Sequence, residues 1–339
     1  MGGNQYSPAF GDLKTLLSNG RSAFDEQFSE IAKTIQAYQV DYAPLDCQSP
    51  VKVFVGSSPN EILAVKILEY SIKKHASLSV EVFPLFEANI DYPMPKDLVN
   101  QPRTPFSFQR FLIPELCGYQ GRAIYMDADM QVFKDIRSFW RMEFNGADVL
   151  TTYKAGDTER RPQFSVIMLN CESLKWQIKD IVQQLDNHEL DYAQLMYDFK
   201  LGKTIRADID PSWNSLENYQ KNKTALTHYT DMPSQPWIST KNKYTEIWMN
   251  DLFEALDSGF IPLDFVDEQI QLGNIRPSLR LQIDRKEPNP KKVPRRLMEE
   301  LDKDFIAPYQ ALQYEKATSE NSPKKRSLFK KLLRPLVVH

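Results

Sequence analysis

From Arg122 to Phe133 the chain reads Arg-Ala-Ile-Tyr-Met-Asp-Ala-Asp-Met-Gln-Val-Phe. Ala123 to Met126 is a short apolar run, the pattern of a strand buried in a parallel sheet. The run stops at Asp127, Ala128 and Asp129. In extended backbone, residues two apart point to the same side. The two carboxylates therefore converge on one point at the strand's end, where open α/β sheets bind their ligands. Two adjacent carboxylates repel and titrate upward unless a cation joins them. A few hard oxygen ligands suit Mg²⁺ or Mn²⁺, which draws its remaining ligands from water and substrate phosphates. The same pair also reads as a solvated turn after a strand. Val132 and Phe133 return at once to apolar sequence, which keeps the pair close to a core.

The rest of the chain supplies an α/β framework for this strand. Val51 to Val55 reads as a strand, Gly56-Ser57-Ser58-Pro59-Asn60 as a turn, Glu61 to Lys74 as a helix and Val80 to Leu85 as a second strand. That is a βαβ unit, which implies a parallel sheet. Small residues in the turn let backbone N–H groups approach a ligand. Neither a dinucleotide fingerprint nor a phosphate-binding loop of the G-x-x-x-x-G-K-[ST] type is present. Ser107 to Cys117 reads as a helix with an apolar face at Phe108, Phe111, Leu112 and Leu116, which Pro114 must either kink or restart. Arg110 lies off that face. It reads either as a surface charge or as an arginine that meets the Asp pair or a phosphate. Ile136 to Trp140 and Leu174 to Leu185 read as helices, Val149 to Thr152 and Ser165 to Leu169 as strands, and Ile209 to Asn214 as a loop. Of the four histidines, His75, His188 and His339 read as surface residues. His228 follows a short β-like run and is the candidate metal ligand. A hydrogen-bonded loop histidine fits the same spacing.

Composition narrows the class. A hydrophobic content of 42% supports a substantial core, and a net charge of −3 argues against a general nucleic-acid binder. Cys47, Cys117 and Cys171 are odd in number and widely spaced, which points to reduced thiols in a cytoplasmic protein and to no disulfide or zinc framework. No signal sequence and no membrane-spanning run is read in the chain. Residues 1–48 form an N-terminal extension with helical spacing at Leu13, Leu16 and Leu17 and then at Phe24, Phe28, Ile31 and Ile35. Those faces suit docking on the main domain or on a second subunit in a homo-oligomer. Beyond residue 266 the chain becomes basic and proline-punctuated, with a helix expected over Leu297 to Phe305. Lys324, Lys325, Arg326, Lys330, Lys331 and Arg334 flank Leu328, Phe329, Leu332 and Leu333. Such a tail is either a peripheral contact to an anionic membrane surface or a solvated basic end.

Four segments in order carry a family resemblance. Arg122 to Val132, the segment Phe106-Ser-Phe-Gln-Arg-Phe-Leu-Ile-Pro-Glu-Leu116, Pro211-Ser-Trp-Asn214 and His228 to Trp237 resemble motifs of glycosyltransferase family 8. This is the family of glycogenin and of bacterial lipopolysaccharide galactosyl- and glucosyltransferases. The resemblance implies a GT-A fold: one Rossmann-like nucleotide-sugar-binding domain with a mixed sheet over residues 49–265, with residues 266–339 as a C-terminal extension. It implies Mn²⁺ (or Mg²⁺) held by Asp127, Asp129 and His228, and a UDP-sugar donor, a UDP-hexose. Val55, Gly56 and Ser57 would lie near the uracil. Arg110, Ala128, Gln235 and Trp237 would lie along the donor, with Arg110 and Gln194 in catalytic roles. Transfer would retain anomeric configuration, to a saccharide, lipid-linked or protein acceptor. The sequence departs from the family at Gln163 to Asn170, at Tyr192 to Tyr197, where Gln194 alone keeps a polar group, and at Gln235, which replaces a lysine. It reads as a divergent subgroup. A nucleotidyltransferase and a catalytically inactive binding or scaffold protein of the same fold are the rival readings.

Overall fold

The computed structural model describes residues 50–152 and 164–310, all within one compact unit that begins at Ser49. The N-terminal extension (1–48), Gln163 and the basic tail lie outside the described residues.

The described residues open with β1 (Val51–Gly56), a single 3-10 turn at Pro59–Glu61, α1 (Ile62–His75) and β2 (Val80–Pro84). β2 lies parallel on one side of β1. After α2 (Ile113–Leu116), β3 (Arg122–Asp127) joins the other side of β1, again parallel. The direction of chain progression therefore reverses between β1 and β3, and their carboxyl ends form a topological switch point, the usual ligand position in such sheets. Both strands are buried along most of their length, whereas β2 alternates as an edge strand does. Ala123 to Met126 are fully buried, as the apolar run predicts.

β4 (Met130–Val132) and α3 (Arg137–Trp140) follow, then β5 (Val149–Thr152) and β6 (Val166–Asn170). β6 runs antiparallel to both β3 and β5, and β7 (Ile205–Ile209) closes the sheet parallel to β5. The order is β2-β1-β3-β6-β5-β7, a mixed sheet. α4 (Ile178–Asp186) and α5 (Tyr192–Met196) lie between β6 and β7 in the chain. β8 (Ser215–Leu216) and β9 (Leu226–His228) join β4 in a second, three-stranded sheet of order β4-β9-β8. α6 (Thr245–Asp257), α7 (Leu263–Gln271), α8 (Ser278–Asp284) and α9 (Arg295–Leu301) complete the described elements.

Two apolar clusters hold these layers. One gathers Phe108, Phe111, Tyr125, Leu169, Trp176 and Phe199. The other gathers Leu63, Ile67, Trp237, Trp248, Val266 and Leu279. α7 thus runs across residue 265, where the sequence changes character, and its Val266 packs in the same core as Trp248.

Three local expectations need correction. Ser107 to Cys117 is a 3-10 turn at Gln109–Leu112 followed by the short α2, so it is not continuously helical and Pro114 marks a restart rather than a kink. Pro114 sits in the first turn of α2, where its missing N–H leaves no bond unmade. α4 starts at Ile178 rather than near Leu174. Pro211–Asn214 is a 3-10 turn, capped by the Asp210 carboxylate, which accepts from the Ser212 N–H at 2.8 Å.

Candidate active site

The register of β1, β3, β4 and β9 assembles the site. Asp127 ends β3 opposite Gly56 of β1. Its N–H donates to Ser165 O at 3.2 Å, and the Ala128 N–H donates to Gly56 O at 3.1 Å. The chain then turns directly into β4, whose antiparallel pairing sets Met130 against His228. Tyr229 N–H donates to Asp129 O at 2.8 Å, which fixes the two strands beside the acidic pair. Asp127, Asp129 and His228, 99 or more positions apart at the histidine, each offer one ligand atom, and these atoms lie within 4.8 Å of one another.

Each member has a defined neighbour. His228 is buried, with Nε2 3.0 Å from Asp129 Oδ1 and Nδ1 3.0 Å from Asn214 Oδ1. Asn214 in turn donates to Ser165 Oγ at 3.2 Å. Asp129 Oδ2 accepts from Gln235 Nε2 at 3.1 Å, and the same nitrogen donates to Tyr229 O at 2.9 Å. Tyr125 donates its hydroxyl to Asp127 Oδ1 at 2.5 Å.

Arg110 is buried, so the surface-charge alternative is excluded. Its Nη1 donates to Phe164 O at 2.8 Å and its Nη2 to the Tyr125 hydroxyl at 3.0 Å, with Asp127 Oδ1 3.6 Å away. The guanidinium also lies 4.4 Å from the Tyr125 ring centre, a cation–π arrangement.

Burial pushes the Asp127 carboxyl above its ordinary range, and repulsion from Asp129 adds to it against the opposing pull of Arg110 and His228. Burial alone would lower the His228 imidazole, but the Asp129 carboxylate outweighs it and holds the group up. Both displacements describe a site that gains from an added positive charge, whether a proton or a cation.

These groups open into a cleft of 430 Å³. It is lined by Ser58, Asn60 and Glu61 after β1, by Arg103 to Ser107 and Arg110, and by Tyr192 and Met196 of α5. Gln235, Trp237 and Ile238 line it as well, as do Pro308 and Tyr309.

Not every expected residue faces this cleft. Val55 and Ala128 are buried and contribute backbone only. Gly56 lies under Tyr125: a Cβ there would come within 2.2 Å of the Tyr125 hydroxyl. Ser57 is fully buried, and its Oγ has no partner among the described residues. Gln194 does not line the cleft. Its side chain accepts from the Asp191 N–H at 3.2 Å while Asp191 accepts from the Gln194 N–H at 2.8 Å, a capping box at the start of α5. Sequence reasoning missed Glu61, which reads as an ordinary acid at a helix start, and the supporting roles of Tyr125 and Asn214. The Asp191-x-x-Gln194 spacing was a readable signal for the cap.

A mixed α/β sheet with an acidic pair and a histidine at its switch point agrees with the GT-A fold that the sequence resemblance implies. Residues 60–177 match the family profile described as glycosyl transferase family 8. The match supports, over that segment, the resemblance drawn from the sequence. The chain is also similar to Protein CDI of Arabidopsis thaliana, 27% identical over 237 residues that cover 61% of this chain and 88% of that protein. Among solved structures it is similar to the glycosyltransferase GlyE of Streptococcus pneumoniae TIGR4, with 13% identity, a TM-score of 0.45 and 60% of each chain covered. The galactosyltransferase LgtC, solved with donor and acceptor sugar analogs, gives 10% identity and a TM-score of 0.44 over 64% of this chain and 99% of its own. The chain thus spans less than two thirds of GlyE.

Proposed function

We propose that the protein is a divalent-cation-dependent glycosyltransferase that takes a hexose from a UDP-sugar and passes it, with retention, to an acceptor hydroxyl on a saccharide, a lipid-linked sugar or a protein. The observation that carries this reading is the convergence of Asp127, Asp129 and His228 within 4.8 Å in a cleft of 430 Å³. The donor set fits Mn²⁺ or Mg²⁺: two carboxylate oxygens and one imidazole nitrogen, with open positions left for a diphosphate. Asn214 Oδ1 accepts from His228 Nδ1–H; Nε2 faces Asp129 Oδ1 at 3.0 Å, where a bound cation would take the place of the Nε2 proton. When bound, the cation supplies positive charge that stabilises the departing diphosphate. Arg110 adds a fixed guanidinium charge beside Asp127, and burial keeps that charge in a medium where it counts for more than in water. Gln235 holds Asp129 in place through its amide. Retention and the uracil preference come from the family resemblance. No described helix is long and apolar enough to cross a membrane. Contact with an anionic lipid surface is proposed for the basic tail alone, and residues 1–48 are proposed as a docking segment, for the main domain or for a second subunit.

The test is release of free nucleotide from UDP-glucose, UDP-galactose and UDP-N-acetylglucosamine by the full chain, with Mn²⁺ and with chelator. Turnover of at least one donor that stops with chelator is expected. Pyrophosphate release from a nucleoside triphosphate and a sugar phosphate would instead make the protein a nucleotidyltransferase. One observation favours an inactive scaffold as the second reading: Gln194 is occupied by its own helix cap. No turnover with any donor, together with no Mn²⁺-dependent UDP binding, would select that reading.

A further inference from the structure

Glu61 brings a third carboxyl into the cleft, and the cation site does not use it. It is the last residue of the single 3-10 turn after β1 and lines the cleft with Asp127 and Asp129. The Ser58 N–H and the Ser58 hydroxyl both donate to Glu61 Oε2, at 2.8 and 2.6 Å. Oε1 receives no hydrogen bond from the described residues. Burial pushes this carboxyl up to about 7, and Asp129 and Asp127 add to the shift while the Ser58 bonds oppose it.

A half-buried carboxylate beside two others repels a diphosphate, so its free oxygen calls for a neutral O–H or N–H donor. Arg110 lines the same cleft, is 7% exposed, and keeps a buried Nε with no partner among the described residues. That nitrogen calls for an acceptor. One ligand that answers both demands is an anion that also carries hydroxyls.

We propose that Glu61 accepts a vicinal hydroxyl pair of the nucleotide sugar, and so selects for a diol at that end of the cleft. This inference rests on the glycosyltransferase reading above. The diol has two sources, the ribose and the transferred hexose, and both offer the adjacent O–H donors that a carboxylate binds in pairs. Glu61 acts on recognition: it touches no group that breaks or forms a bond.

The test is calorimetry on the full chain with Mn²⁺ at pH 8, using UDP, 2′-deoxy-UDP, UDP-glucose and pyrophosphate. The variant is Glu61→Gln, which preserves the capping-box geometry with Ser58, with Glu61→Ala beside it. Removing a hydrogen bond to a charged group should weaken binding about 10- to 100-fold. If the ribose supplies the diol, Glu61→Gln weakens UDP by that factor and abolishes the preference for UDP over 2′-deoxy-UDP. If the hexose supplies it, UDP is unchanged and UDP-glucose weakens. In both cases pyrophosphate binds as before or more tightly, because a negative charge has been removed. Unchanged affinities for UDP and UDP-glucose in both variants would overturn the proposal, as would an equal loss for pyrophosphate. Wild-type protein that binds none of the four ligands with Mn²⁺ would overturn the glycosyltransferase reading itself, and this inference with it.

Discussion

Asp129 has both of its oxygens engaged, one by His228 Nε2 and one by Gln235 Nε2. Removing His228 therefore frees one Asp129 oxygen and takes away one ligand, but leaves two carboxylates. His228→Ala should weaken Mn²⁺ binding about 10- to 100-fold without abolishing it, read by titration of Mn²⁺ into the protein. Loss of all binding would mean that the carboxylates do not hold the ion by themselves. Glu61 gives a pH signature of its own. Its carboxyl is raised by burial from an ordinary 4.5 to about 7, so the folded state binds its proton more tightly than the unfolded state does. The stability it contributes is complete below about 4.5, falls as pH rises, and is gone above about 7. Denaturant unfolding without metal should show this decline between those limits, and Glu61→Gln should flatten it. Parallel profiles for the two proteins would contradict the assigned shift. At this scale the sequence was legible where chemistry is local. Asp127 and Asp129 share a strand end, and His228 stands where an apolar run meets a loop. The burial of Arg110 was not legible, because its partners Phe164 and Tyr125 lie 54 and 15 residues away. Gln194, expected in a catalytic role, sits in the Asp191-x-x-Gln194 cap of α5, outside the cleft lining.

The β1 and β3 ends form one mechanical unit. Gly56 lies opposite Asp127, and Tyr125 arches over the glycine to reach Asp127 and Arg110. Tyr125 is fully buried, so its ring has little room to yield. Gly56→Ala should destabilise the fold by about 1–3 kcal/mol through overpacking and should break the Tyr125–Asp127 hydrogen bond. Thermal unfolding together with Mn²⁺ affinity would measure both effects, and a variant unchanged in the two would refute the crowding seen here. The strands themselves were readable from their apolar runs. The pairing of β4 with β9, which brings His228 to Asp129, was not, because it joins segments 98 residues apart and leaves no local trace.

At the scale of the molecule, the chain beyond residue 265 helps to shape the cleft. Arg276 is fully buried, and burial lowers its guanidinium to about 10. Its Nε donates to Pro236 O at 3.2 Å and its N–H to Trp237 O at 3.0 Å, which fastens the segment that carries Gln235 and Trp237. The composition change near residue 266 reads as a new region, yet the apolar contacts of Val266 and Leu279 join it to the core of α1 and α6. The basic tail is a separate matter. Deleting residues 323–339 should leave Mn²⁺-dependent UDP binding intact, because every residue of the candidate site precedes them. The same deletion should abolish salt-sensitive co-sedimentation with anionic vesicles, and equal recovery of both proteins in the pellet would remove the membrane proposal. The central claim is that the acidic pair serves a cation that holds a nucleotide diphosphate, and UDP calorimetry with and without Mn²⁺ tests it most directly. Wild-type protein should bind UDP in a Mn²⁺-dependent way, and Asp127→Asn and Asp129→Asn should each lose that dependence while keeping a cooperative thermal transition. Unchanged Mn²⁺-dependent UDP affinity in both variants would contradict the account.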